Sequence, residues 1–252
     1  MPQLPRFPDP SFLVHSCLFE WLFSLLFFMT RIALIHALNH SVDPINQAFA
    51  RHWPQAQRMN LLDDSLSSDL VRSGRGLDEA MHQRFQHLAR YVVETGADAI
   101  LFTCSAFGPC IETVAEQHSR IPVLKPNEAM IAQACAGLQG PLGLIASFGP
   151  TLSSMPKEFG PDVELMPALA AGALEALHRG DAVTHDRLVA EQARFLAGKG
   201  CTRIALAQFS LARARKACEE ASGLPVFTTV DSAVHALRLR LGASADAAAD
   251  LG

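Results

Sequence analysis

From Arg31 onward the chain alternates short apolar runs with longer stretches whose apolar residues recur at helical spacing. "IALIHAL" (32–38), "AILFTC" (99–104), "PVLKP" (122–126), "LGLIAS" (142–147), "IALAQFS" (204–210) and "PVFTTV" (225–230) read as buried strands. Residues 78–95, 127–138, 185–199 and 231–241 carry the helical pattern between or after them. Near-continuous apolar strands separated by amphipathic helices predict mainly parallel sheets covered on both faces.

The pattern also repeats. "LARYVVETGADAILFTCSAF" from Leu88 lies over "QARFLAGKGCTRIALAQFSL" from Gln192 without a gap, matching Gly96 to Gly200, Ile100 to Ile204 and Cys104 to Gln208. Each block runs on to a Pro-Val strand, and "RIALIHALNH" upstream parallels "PLGLIASFGP". The expected fold is therefore α/β, with two pseudo-symmetric three-layer lobes, mainly parallel sheets and a cleft between them. Residues 30–125 with 231–242 are expected to form the first lobe, 126–230 the second, and 243–252 a flexible tail. The apolar stretch within residues 1–29 contains Glu20, which makes insertion into a bilayer costly. It is expected to be an extension upstream of a natural start at Met29. No membrane association is expected for residues 30–252.

Composition narrows the chemistry. A formal charge of −4 over 252 residues leaves no basic stripe for nucleic acid, and the run "RARK" (213–216) is followed at once by Glu219 and Glu220. Six cysteines are scattered with no CxxC pair, which predicts reduced thiols in a cytoplasmic protein and neither a zinc site nor a disulfide framework. No GxGxxG, GxxxxGK[ST] or HExxH motif is present, so neither cofactor nor metal is expected.

Ligands of open α/β sheets sit beyond the carboxyl ends of the strands. That rule selects Asn39 and Ser41 after the first strand, Cys104, Ser105 and Ala106 after the second, Ser147 and Thr151 after the fourth, and Gln208 and Ser210 after the fifth. Asn127, opening a helix after "LKP", is a further candidate. Cys104 precedes a helix, whose amides and dipole are expected to bring its pKa below the ordinary value of about 8.5.

These residues resemble the aspartate/glutamate/hydantoin racemase superfamily over about residues 31–241. "LNHS" (38–41) is similar to that family's Pro-Asn-Thr-Ser segment, "DAILFTCSAFG" (98–108) to its first cysteine motif, and "GLIASFGPTL" (143–152) to its Ala-Thr-x-x-Thr turn. The resemblance implies cofactor-independent acid–base chemistry by cysteine thiols at a carbon next to a carboxylate or carbonyl. Its substrate would be a small amino acid, hydantoin or related acid, and assembly into a homo-oligomer is compatible with it. Gln208 stands where the family carries its second cysteine, with Ser210 the nearest hydroxyl. A decarboxylase of substituted malonates working through one thiol, and a binder of small carboxylates without turnover, are the alternative readings.

Overall fold

The computed structural model describes residues 30–249, and the apolar segment 1–29 lies outside the described residues. Its first half builds a parallel sheet in the order β2-β1-β3-β4, from β1 (Arg31–His36), β2 (Gln57–Leu62), β3 (Ala99–Phe102) and β4 (Val123–Leu124). The second half repeats the order as β6-β5-β7-β8, from β5 (Leu142–Ala146), β6 (Leu165–Leu169), β7 (Arg203–Leu206) and β8 (Val226–Thr228). The fold is the two-lobed α/β architecture that the repeat predicts.

The helices are α1 (Val42–His52), α2 (Ser65–Ser73), α3 (Glu79–Glu94), α4 (Gly108–Gln117), α5 (Glu128–Cys135), α6 (Gly149–Ser154), α7 (Ala173–His178), α8 (Ala182–Gly198), α9 (Arg215–Ser222) and α10 (Thr229–Ala249). The repeat has a physical basis at both ends of its long helix. Helices α3 and α8 each open on an aspartate, Asp78 accepting from the Met81 amide and Asp181 from that of Thr184. Each ends just before a glycine with left-handed φ, +83° at Gly96 and +92° at Gly200, which turns the chain into β3 or β7.

Two strands escape the hydrophobic pattern. Strands β2 ("QRMNLL") and β6 ("LMPAL") lie at sheet edges, where every residue but the buried Ala168 is exposed or half-buried, so they lack the continuous apolar run of the central strands. They are nevertheless paired in full register, Arg31 to Gln57 through His36 to Leu62 and Leu142 to Leu165 through Ala146 to Leu169.

Each sheet is covered on both faces. Leu66, Phe85, Phe102 and Phe107 pack on one side of the first sheet; Ile45, Phe49, Val234 and Leu237 pack on the other. The second sheet carries Val189, Leu196 and Leu211 on one face and Met130, Ala134 and Met155 on the opposite one. The last helix of the chain, α10, thus returns to the first sheet, while α5, which follows the first sheet, packs on the second. These two helices meet through Ser232 Oγ donating to Gln133 Oε1 at 2.8 Å. Helix α10 continues to Ala249, into the stretch expected as a tail.

His36, at the carboxyl end of β1, is fully buried, and burial drives its pKa down to about 4. Its Nε2 lies 3.0 Å from Asn60 Oδ1, an oxygen that also accepts from Asn46 Nδ2. The neutral ring therefore donates from Nε2 and accepts from the Thr103 hydroxyl at Nδ1, 2.9 Å away. A base whose folded pKa is depressed adds stability above its unfolded value near 6.5, and that stability is lost as pH falls towards 4. Denaturant unfolding across pH 4–7 should show this loss, about 3 kcal/mol at its limit. The slope contributed by the histidine should vanish in His36→Gln. An unchanged slope in that variant would contradict the assignment.

Candidate active site

Strand β3 ends at Phe102, and the chain stays extended through Cys104 (φ −123°, ψ 116°) before the tight 3-10 turn Ser105–Phe107 and helix α4. Strand β7 repeats this path: Gln208 is extended (φ −139°, ψ 146°) and is followed by the 3-10 turn Phe209–Ala214. The gapless repeat therefore holds in three dimensions, and Cys104 and Gln208 occupy equivalent places in the two lobes.

Both face one cavity of about 720 Å³ between the lobes. Asn39, His40, Ser41, Thr103 and Cys104 reach it from the strand ends of the first lobe, with Asp64, Ser67 and Arg72 from the segment beyond β2. Phe148, Leu174, His178 and Gln208 close it from the second lobe. Its volume lies within the usual range for small-molecule sites.

The environment of Cys104 differs from the sequence expectation. The residue keeps part of its surface accessible, but withdrawal from water pushes its thiol pKa up to about 11. The nearby Ala106 amide and Ser67 hydroxyl pull the other way without cancelling the desolvation. Helix α4 begins only at Gly108, so the 3-10 turn separates the sulfur from the first α-helical turn and weakens the help of the dipole. At neutral pH Cys104 is therefore a thiol.

Gln208 is anchored. Its Oε1 accepts from the Ser147 amide at 2.6 Å, the Phe148 amide at 3.2 Å and the Ser147 hydroxyl at 3.3 Å. Three donors fix the orientation of the amide and leave its amino group as the remaining donor. The same contacts occupy the two backbone donors just before α6, so Ser147 serves the side chain of Gln208.

Several residues chosen from strand ends do not line the Cys104 cavity. The Ser105 hydroxyl turns into the seam between the lobes and donates to the Ala207 carbonyl at 2.5 Å. Ala106 borders a separate interlobe cavity of about 650 Å³ with Glu158 and Lys125. Thr151 and Asn127 are fully buried away from it, the amide of Asn127 reaching Glu158 Oε1 at 3.4 Å. Ser210 lines a neighbouring cavity of about 550 Å³ with Arg51, Arg213 and Arg215, which meets the first at Asn39 and His40. Asn39, Ser41, Cys104 and Gln208 are brought together as expected. His36, at the end of β1, is locked inside the first lobe by Asn60 and Thr103.

The residues that sequence reasoning missed share one cause. Asp64, Ser67 and Arg72 follow β2, and Leu174 and His178 follow β6. Both strands were invisible in the hydrophobic pattern, so the rule that selects strand ends had nothing to act on. Among the described residues no cluster of His, Cys, Asp or Glu is placed to hold a metal ion, and no helix is long and apolar enough to cross a membrane.

Comparison with known proteins gives a family and a fold. The sequence profile of the Asp/Glu/Hydantoin racemase family matches residues 40–237. A glutamate racemase from Thermus thermophilus, solved with β-chloro-D-alanine, superposes with a TM-score of 0.68 at 18% identity, over 86% of this chain and 82% of its own. An allantoin racemase from Pseudomonas fluorescens gives 0.61 at 18% identity, over 84% and 92%. An aspartate racemase from Picrophilus torridus gives 0.62 at 13% identity, over 84% and 94%. No curated protein matches the chain in sequence.

The protonated state of Cys104 is directly measurable. With a pKa near 11, its thiolate fraction rises about tenfold per pH unit throughout the neutral and mildly alkaline range. Iodoacetamide labelling of the Cys104 peptide, followed by mass spectrometry, should therefore keep accelerating from pH 7 to pH 10. A rate that levels off below pH 8.5 would show a thiolate already formed and contradict the desolvated thiol.

Proposed function

This chain belongs to the Asp/Glu/hydantoin racemase family, and we propose that it is a cofactor-independent isomerase inverting the carbon next to a carboxylate or carbonyl of a small amino acid, hydantoin or related acid in the cytoplasm. The observation that carries the reading is Cys104, a thiol at the carboxyl end of a strand, facing an interlobe cavity ringed by hydroxyl and amide groups. Cys104 exchanges a proton with the substrate's acidic carbon. Removing that proton leaves an enolate, whose negative oxygen needs donors already in place. The hydroxyl of Ser41, the amide of Asn39 and the amino group of Gln208 are the donors proposed for it and for the substrate carboxylate.

The raised pKa of Cys104 suits the role of proton donor. A thiol so placed protonates an enolate readily, because the enolate is far more basic than a thiolate. As a base it needs its thiolate stabilised, and a bound substrate bearing an ammonium or amide N–H lowers its pKa in place. One named group on the first lobe thus accounts for one face of the carbon.

The test uses both enantiomers of glutamate, aspartate and 5-methylhydantoin in D₂O. The wild-type protein should exchange the α-hydrogen of at least one pair for deuterium while optical activity decays. Cys104→Ala should lower that racemisation by at least about a hundredfold while unfolding with the same cooperativity. Undiminished racemisation in the variant would remove the thiol from the mechanism.

A further inference from the structure

We propose that the imidazole of His178 is the acid–base group for the face of the substrate carbon opposite Cys104, making the pair a thiol and an imidazole. The inference rests on the assignment of Cys104 to the first face. Inversion needs a proton to leave one side of the carbon and another to arrive on the opposite side, so the second lobe must supply a group that gives and takes one. Among the described residues, the second lobe lines the Cys104 cavity with Phe148, Leu174, His178 and Gln208. Phenylalanine and leucine have no proton to exchange, and the Gln208 amide does not titrate, with its oxygen held by three donors. Ser210, the hydroxyl nearest in sequence, lines the adjoining cavity instead. His178 is left, and imidazole is the side chain whose ordinary pKa lies closest to neutrality.

The structure also positions the ring. His178 ends helix α7, beyond β6, and its imidazole packs on that of His40 from the first lobe, with centroids 5.2 Å apart and planes 30° from one another. His40 lines the same cavity, and partial burial, then the nearby His178, His185 and Arg213, lower its pKa. This ring contact with His40 holds the imidazole at the boundary between the lobes. The remaining charged groups at this cavity, Asp64 and Arg72, come from the first lobe.

The chemistry balances. With one enantiomer, the Cys104 thiolate removes the α-proton, the C–H electron pair moves onto the carbonyl or carboxyl oxygen, and an enolate forms. Protonated His178 then gives its N–H proton to the opposite face, and the electron pair returns to make the new C–H bond. The site is left as a thiol and a neutral imidazole, the state from which the other enantiomer reacts in reverse. The pair carries no net charge in either state, so neither direction strands a charge between the lobes.

The test separates inversion from exchange. In His178→Gln, racemisation of the panel compound that the wild type exchanges fastest should fall by at least about a hundredfold. Cys104 should still exchange the α-hydrogen of one enantiomer with D₂O, with retention, whereas the other enantiomer should be inert. Cys104→Ala should show the opposite preference. Persistent exchange by His178→Gln doubles as proof that the variant is folded. Racemisation by His178→Gln at the wild-type rate, or equal exchange of both enantiomers, would overturn the role of His178 and leave that of Cys104 standing. Absence of exchange by the wild type with every compound would overturn the thiol reading and this one with it.

Discussion

The ends of two strands from different lobes must meet, and the site depends on that meeting. The Ser105 hydroxyl donates to the Ala207 carbonyl at 2.5 Å, and the Ser154 hydroxyl returns to the Ser105 carbonyl at 3.1 Å. Beside this seam Phe209, which follows β7, is fully buried among Ile32, Phe49 and Val230 of the opposite lobe's core. Burying a phenylalanine ring is worth about 1.5–3 kcal/mol, and the buried hydrogen bonds deny any other register to the strand ends. Cys104 and Gln208 flank the two residues of the seam bond, so the contact that joins the lobes also places the site residues across one cavity. Helices α5 and α10, each packed on the sheet of the other half, hold the same pair of lobes from behind.

Within this near-symmetric frame the chemistry is not symmetric. The repeat delivers equivalent backbone to both lobes, yet one carries a desolvated thiol and the other an amide whose oxygen accepts from the two backbone N–H groups just before α6. A cysteine at 208 would leave the Ser147 and Phe148 amides without that acceptor, and an unsatisfied buried donor costs about 1–3 kcal/mol. Gln208 is thus part of the local structure of the second lobe as well as of the cavity wall. Of the second lobe's other contributions to that wall, Phe148 has no proton to exchange, and the region beyond β6 brings Leu174 and His178.

Much of the fold was legible in the sequence because the central strands are buried on both faces and read as continuous apolar runs, while Asp78 and Asp181 open the matched helices and Gly96 and Gly200 close them. The edge strands were not legible, since "QRMNLL" and "LMPAL" face solvent along one side and carry no distinctive period. The site carries the consequence: Ser67, which lines the cavity with Cys104 while its hydroxyl donates to the Ala37 carbonyl, and His178 both follow an edge strand. Direction was equally hidden. Ser105 and Ser210 follow strand ends just as Ser41 does, but the first turns into the seam and the second into the arginine-lined cavity, and spacing alone does not encode that choice. The pKa of Cys104 also depends on what surrounds it, and the cover supplied by both lobes outweighs the favourable turn beneath it.

The central claim is that the reacting carbon sits in the interlobe cavity against Cys104. The crystal structure of the protein with a bound, unreactive analogue of its substrate tests it most directly. The account predicts the analogue's central carbon within about 3.5 Å of Cys104 Sγ, the reach required for transfer, with its carboxylate on Asn39 and Ser41. An analogue seated instead behind His40, among Arg51, Arg213 and Ser210 and out of reach of the sulfur, would contradict it.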